Sequence, residues 1–564
     1  MLRLPIGYDN FAKIIENKLD LVDKTLFIKE VLDNTAEISV ILRPRRFGKT
    51  LNLSMLQYFF AKEVHGQPTA ELFNGLKISK LDDCMLHQGK YPVIFLTFKD
   101  IKANNFENAY ENVVGLVRDI YAEHRILTTS DKLSDDDKDI FKNILERTAS
   151  QSDVQKALQY LTKFLFLHYG IKPYVLLDEY DNPIHAAHIH GYFTEMVELM
   201  RGMFSTTFKT NPYLQRAVIT GILRVAKENL FSGLNNLEVY SVLRPEYGQY
   251  FGFTPEEVQN LLERSELTHK AQDIQDWYNG YQIGEISLYN PWSIVNCIKQ
   301  HGNLAPYWVN TSDNQLIKNI LAMSSAQFKQ AFEYLLQDKT LEYVIDENMV
   351  YGDLAMQEDA AWSLLLMAGY LKVVGQKFEN GKLICQLKIP NLEVGTLYMK
   401  TIETWLANGH GLNWYNAFLE HLLSGKLDLF EQELREILEE IVSVHDTAKK
   451  SENFYHGLML GLTASLRYDK NYELYSNKES GYGRYDYLIV CKDKTRPTLL
   501  LEFKKVVADK NLDLLDEKLT LAAKEALNQI NTHHYMAQAK QQGSEKIIKI
   551  AMAFCGRQFV MLAE

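Results

Sequence analysis

The stretch ISVILRPRRFGKTLNLSML, Ile38 to Leu56, decides how the chain is read. Ile38 to Leu42 is apolar and rich in β-branched residues, the pattern of a buried strand. From Thr50 onward, Leu51, Leu53, Met55 and Leu56 read as a helix. Between them, RPRRFGKT fits a phosphate loop of the form GxxxxGK[ST]. Backbone N–H groups left unpaired at a helix start can cradle a triphosphate, Lys49 would reach the outer phosphates, and the Thr50 hydroxyl would sit on Mg²⁺. Arg46, Phe47 and Gly48 complete the loop. Arg43 stands where the pattern's first glycine belongs, so a basic surface turn is the competing reading of this stretch by itself.

Downstream, Tyr174-Val-Leu-Leu-Asp178-Glu179 places two acids at the end of another apolar strand. Strand ends in a parallel sheet lie side by side, so Asp178 would hold the Mg²⁺ shell and Glu179 would polarise the attacking water. Tyr91 to Phe98 is a further strand. Leu214 to Gly221 is another, ending in Thr220, where a polar sensor of the γ-phosphate would stand. Arg216 and Arg224 are candidate charge stabilisers, with ordinary surface arginines as the alternative. The implied cofactors are ATP and Mg²⁺.

At 564 residues, two to four domains are expected. No apolar stretch is long enough for a membrane span, and the N-terminal residues carry no apolar signal region. Cys84, Cys297, Cys385, Cys491 and Cys555 are odd in number and scattered, as expected of a reducing cytoplasmic compartment. The net charge of −11 argues against a globally basic nucleic-acid binder, although a local basic groove would satisfy phosphate contacts. Phe11 to Asn34 reads as helix, broken near Asp23 and Thr25, and either packs or closes over a bound base. Ser130 to Lys138 reads as a solvated loop. His185, His188 and His190 cluster, but at no spacing that fits zinc. The aromatic residues between Trp277 and Trp308 are read as core. Ala361 to Val374, the turn Asn380-Gly381 and Leu383 to Ile389 give helix and then hairpin, the outline of a winged helix.

A second constellation lies near the C-terminal end. Glu452 to Tyr468 is a helical pattern, followed by strands near Tyr472 to Asn477, Tyr487 to Val490 and Thr498 to Phe503, the last running into Glu502-Phe-Lys504. Period-two geometry puts Glu502 and Lys504 on one face, and a hairpin partner can set Asp486 opposite them. Two carboxylates can chelate Mg²⁺ or Mn²⁺ while a lysine positions or deprotonates water. A salt-bridged strand end is the alternative. Leu519 to Gln538, carrying Gln529 and Tyr535, reads as the next helix, and Lys546 to Phe554 as a strand.

RPRRFGKT, LLDEYDNP, TGILRVAKENLFSGLNNLEVYS, FGFTPEEV, WYNGY, LYNPWS and YWVNTS together resemble the bacterial AAA-ATPase-like family that is usually joined to a PD-(D/E)XK nuclease-like domain. In that family the loop's first glycine is also replaced, and the resemblance implies ATP binding and hydrolysis through Lys49, Thr50, Asp178 and Glu179. GYGRYD with LLLEFKK resembles the PD-(D/E)XK superfamily, with Tyr485 where a proline usually precedes the first acid. That resemblance assigns metal binding to Asp486 and Glu502, water activation to Lys504 and help from Gln529, and offers Glu452 as a further acid.

The expected fold class is α/β: a P-loop AAA-like ATPase domain over residues 1–253, a mainly helical lid with a winged-helix-like piece over 254–448, and a nuclease-like α/β domain over 449–564. The function expected is an ATP-dependent, metal-dependent nuclease acting on nucleic acid, DNA before RNA, in defence or genome maintenance. The alternative is a nucleotide-driven switch or scaffold whose nuclease fold only binds. An arginine acting across subunits would make the protein a homo-oligomer.

Overall fold

The structure is a computed structural model. It describes residues 2–224, 236–309, 339–347, 358–398, 412–441, 471–480, 483–507, 512–532 and 546–564, with isolated residues between 328 and 335 and between 455 and 466. Two compact units result: Met1–Met323 with Glu342–Glu393, and Ser324–Leu341 with Val394–Glu564. These units do not follow the expected bounds at 253 and 448. Residues well beyond 253 pack around the phosphate loop and so fall within the first unit.

That unit is built on five parallel strands: β1 Ile38–Leu42, β2 Val93–Thr97, β3 Tyr174–Asp178, β4 Arg216–Gly221 and β5 Leu237–Tyr240, in the order β2-β3-β4-β1-β5. β1 and β3 are buried at every position, which is why they read as continuous apolar runs and not as alternation. With β4 lying between β1 and β3, the loop after β1 and the acids after β3 reach the same edge of the sheet. The helix Lys49–Phe60 follows β1 and stacks Phe60 on Tyr174, with ring centroids 4.1 Å apart.

Upstream, Phe11–Glu16 and Leu26–Asp33 are the two helices expected. The first packs on the helix Lys49–Phe60, where the Phe11 N–H donates to Ser54 Oγ at 3.0 Å and Asn10 Nδ2 to the Tyr58 hydroxyl at 3.1 Å. The polar run at Ser130 to Lys138 is only half a loop. The helix Asp135–Leu145 begins inside it, capped by Ser134, because three consecutive aspartates suit a helix N-terminus. His185, His188 and His190 lie on the helix Asn182–His190. Among the described residues, no group of three or more His, Cys, Asp or Glu side chains could hold a metal ion.

The expected helix and hairpin are present as Glu358–Met367 followed by β7 Lys372–Glu379 and β8 Lys382–Lys388. β6 Leu341–Val344 completes a sheet in the order β6-β8-β7. Asn380 and Gly381, with φ of 51° and 76°, supply the left-handed pair that a two-residue hairpin turn needs.

The second unit holds β9 Tyr472–Ser480, β10 Gly483–Cys491, β11 Thr498–Lys505, β12 Ile547–Cys555 and β13 Gln558–Ala563, in that order across the sheet. Only β11 and β12 pair in parallel, and the helix Leu512–Thr532 carries the crossover between them. Its Ile530 packs with Leu488, Val490 and Leu500. β13 is an addition to the expected order. Among the described residues, no helix is long and apolar enough to cross a membrane.

Glu393 closes the first unit's chain and is fully buried. It accepts from Ser293 Oγ at 2.7 Å and from the Trp308 N–H at 2.6 Å. Burial lifts its carboxyl from 4.5 to about 7, against the pull of these donors. The unfolded chain ionises this group near 4.5 and the folded one near 7. The group therefore contributes stability that is full below pH 4.5 and lost as pH rises through 7. Between these limits, the stability of wild type relative to Glu393→Gln should fall with rising pH in urea melts. A difference independent of pH would contradict this.

Candidate functional site

β1 ends at Leu42 and the chain turns into the phosphate loop. Gly48 has φ of +84° and open space where a Cβ would stand, so the backbone there needs glycine and leaves room above it. Arg46, at φ +66°, takes the same left-handed region without that freedom. Glu179, at φ +52°, does so just past the end of β3. Such conformations cost of order 1 kcal/mol each and cluster where geometry serves chemistry.

Lys49 is buried, and its Nζ donates to the Arg43 carbonyl at 3.0 Å and to the Pro44 carbonyl at 2.9 Å, curling the loop around itself. Burial lowers its pKa, opposed by Glu179, Asp181 and Asp178. Thr50 Oγ1 donates to Asp178 Oδ2 at 2.7 Å, and Thr220 Oγ1 to Asp178 Oδ1 at 2.7 Å. Burial raises the Asp178 pKa, opposed by those two hydroxyls. Residues far apart in sequence thus meet at one carboxylate. Thr220, expected as a phosphate sensor, is here a hydroxyl partner of Asp178. Glu179 accepts from Asn182 Nδ2 at 2.6 Å.

The other arginines separate. Arg216 sits at the opposite end of β4, where its guanidinium donates to the carbonyls of Val31 and Asn34, so it is a tie to the helix Leu26–Asp33 and not a charge stabiliser. Arg224 is partly exposed, just beyond β4. Arg46 lays its guanidinium over the Trp292 ring, 4.5 Å from the centroid.

Two residues escaped the sequence reading. Asp181 is buried, and its Oδ2 accepts from the N–H groups of Ile222 and Leu223 at 2.9 and 3.0 Å, binding the turn after β3 to the exit of β4. Arg43 is fully buried. Its Nη1 donates to the carbonyls of Leu42, Tyr240 and Ser241, each at 2.8 Å, and its Nη2 to that of Glu246 at 2.7 Å. Burial depresses its pKa to about 9. No local pattern announces this, because three of the four carbonyls it satisfies lie about 200 residues downstream.

In the second unit, β10 and β11 pair Tyr487 with Leu501 and Leu488 with Leu500, which brings Asp486 opposite Glu502. The Asp486 N–H donates to Glu502 Oε2 at 3.3 Å, and the Phe503 N–H to Asp486 Oδ2 at 2.8 Å. Glu502 is 1% exposed, and Lys504 Nζ lies 3.8 Å from its Oε1. Gln529 is half-buried on the crossover helix. Glu452 and Tyr535 lie outside the described residues.

The comparisons match two parts of the chain to known domain families. Residues 5–231 match the AAA-ATPase-like family, described as a predicted AAA-ATPase, and residues 450–564 match the PD-(D/E)XK nuclease superfamily. The chain joins an AAA-ATPase-like domain to a PD-(D/E)XK nuclease-superfamily domain. A protein described as uncharacterized, from the vnfD 5′ region of Azotobacter chroococcum, is 27% identical over 394 residues, which cover 70% of this chain and 68% of that one. A Walker-type ATPase of Pyrococcus abyssi superposes with a TM-score of 0.35 at 13% identity, over 67% of this chain and 96% of its own. Neither domain match includes the segment between residues 231 and 450, where Trp292, Trp308 and Glu393 lie.

Restoring the usual glycine with Arg43→Gly should therefore harm this AAA-ATPase-like domain, by about 2–4 kcal/mol in denaturant unfolding of the first unit, because three buried carbonyls and a partly buried one lose their donor. Stability equal to wild type would show that the guanidinium is not a tie.

Proposed function

We propose that the first unit binds and hydrolyses Mg·ATP and that the second cleaves nucleic acid, DNA before RNA, by metal-assisted hydrolysis of the phosphodiester. The observation that carries the first half is the meeting of Thr50 and Asp178 beside a loop that buries Lys49. Open space over Gly48 and a hydroxyl already set on a carboxylate fit a triphosphate with its ion. Lys49 would trade two loop carbonyls for the outer phosphates, Thr50 and Asp178 would hold the ion, and Glu179 would orient water.

In the second unit, Asp486 and Glu502 are two hard oxygen donors held on neighbouring strands, a donor set that suits Mg²⁺ or Mn²⁺. A divalent ion there would neutralise charge on the phosphate. Lys504 stands beside Glu502 on the same strand, where it can hold or take a proton from the attacking water. The nucleotide state of the first unit would govern when nucleic acid reaches the second, in a role in defence or genome maintenance. Five cysteines, none in a disulfide, support a reducing cytoplasmic setting.

Plasmid and single-stranded DNA, incubated with and without Mn²⁺ and ATP, test both halves. Cleavage should need the metal and drop by at least about 100-fold in Asp486→Ala, Glu502→Ala or Lys504→Ala. ATP turnover should vanish in Lys49→Ala and Asp178→Ala. Wild-type cleavage surviving in Asp486→Ala, or turnover surviving in Lys49→Ala, would refute the corresponding half.

A further inference from the structure

Each residue of the loop from Pro44 to Phe47 is held by a side chain or backbone that arrives from residues 252–370. Gly369, at φ +86°, lies so close to Pro44 that a Cβ would come within 2.8 Å of the proline ring. Trp308 Nε1 donates to the Arg45 carbonyl at 3.1 Å. Arg46 rests on Trp292. Phe47 is buried edge-on against Tyr281, with centroids 5.0 Å apart, and Gly252 leaves it room. The rings of Tyr281, Trp308 and Tyr370 also contact one another, at 5.8 and 5.1 Å between centroids.

Behind them, Glu393 fastens the arrangement. One carboxylate oxygen accepts from Ser293, the residue after Trp292, and the other from the Trp308 N–H. The two tryptophans that touch the loop are thereby referred to one buried acid. A phosphate loop works by presenting its N–H groups at fixed positions, so whatever fixes the carbonyl of Arg45 fixes the neighbouring N–H of Arg46 as well.

We propose that Trp308 and Glu393 are positioning residues for the nucleotide: they set the shape of the phosphate loop through the Arg45 carbonyl, and so set the affinity for the triphosphate. This rests on the reading that the loop binds ATP. Neither residue reaches the phosphates through its own side chain, and their effect is transmitted through the loop backbone. By linkage, binding of ATP at the loop would tighten the packing of Trp292, Trp308 and Glu393 to the same extent.

The test measures ATP affinity with a fluorescent ATP analogue, and KM and kcat for ATP, on the full chain. Trp308→Phe keeps most of the ring and deletes the bond to Arg45. It should weaken binding and raise KM about five- to tenfold while kcat stays within about twofold. Glu393→Ala, which frees both tryptophans, should shift KM in the same direction and further. Should Glu393→Ala fail to fold, as judged by circular dichroism, Trp308→Phe decides alone. Affinity within twofold of wild type in folded Trp308→Phe overturns the inference and leaves the ATP reading standing. A loss of kcat at unchanged KM also overturns it, since a positioning role acts on binding. No ATP binding by wild type overturns the ATP reading and this inference with it.

Discussion

The first unit depends on a single contact, the hydroxyl of Thr50 on the carboxylate of Asp178 at 2.7 Å. It joins the start of one helix to the end of a strand 128 residues later, and it exists because a parallel sheet sets strand ends side by side. Asp178 is fully buried, and the hydroxyls of Thr50 and Thr220, each at 2.7 Å, with that of Thr97 at 3.4 Å, offset the cost. A buried acid with two hydroxyl donors and a buried lysine close by is costly to maintain for stability alone. Under the proposed function, an ion and a triphosphate would give that cost a purpose.

The same physics recurs in the second unit on a different scaffold. Asp486 and Glu502 face each other across antiparallel strands, and each receives a backbone N–H from the other's strand. Those N–H groups hold the carboxylates in place without neutralising them, which leaves oxygen lone pairs for a cation.

Much of this was legible in the sequence, for identifiable reasons. β1 and β3 announce themselves because a parallel sheet covered on both faces buries every residue and so favours a nearly continuous apolar run. The Asp486 and Glu502 pairing followed from period-two geometry. Arg43 was visible only as a departure from a motif. Its role as a donor to four carbonyls depends on β5 and the chain beyond, which no local window contains. Arg216 misled because its place in the strand was read without asking which end of β4 faces the loop. Asp181 passed as a turn residue, since Asp-Asn-Pro is turn chemistry whether or not the acid also holds a second segment. The compact units divide elsewhere than at 253 and 448, because Tyr281, Trp292, Trp308 and Tyr370 pack on or beside the loop, and tertiary packing leaves no mark in composition.

The central claim is that two separate sites each gather a divalent ion, the one at Thr50 and Asp178 only together with a triphosphate and the other at Asp486 and Glu502. Electron paramagnetic resonance titration of the full chain with Mn²⁺ counts the bound ions directly. The expected result is one ion bound without nucleotide, lost in Asp486→Ala, and a second that appears on adding a non-hydrolysable ATP analogue and is lost in Asp178→Ala. An ion count that ATP does not change, or that survives both substitutions, would contradict the claim.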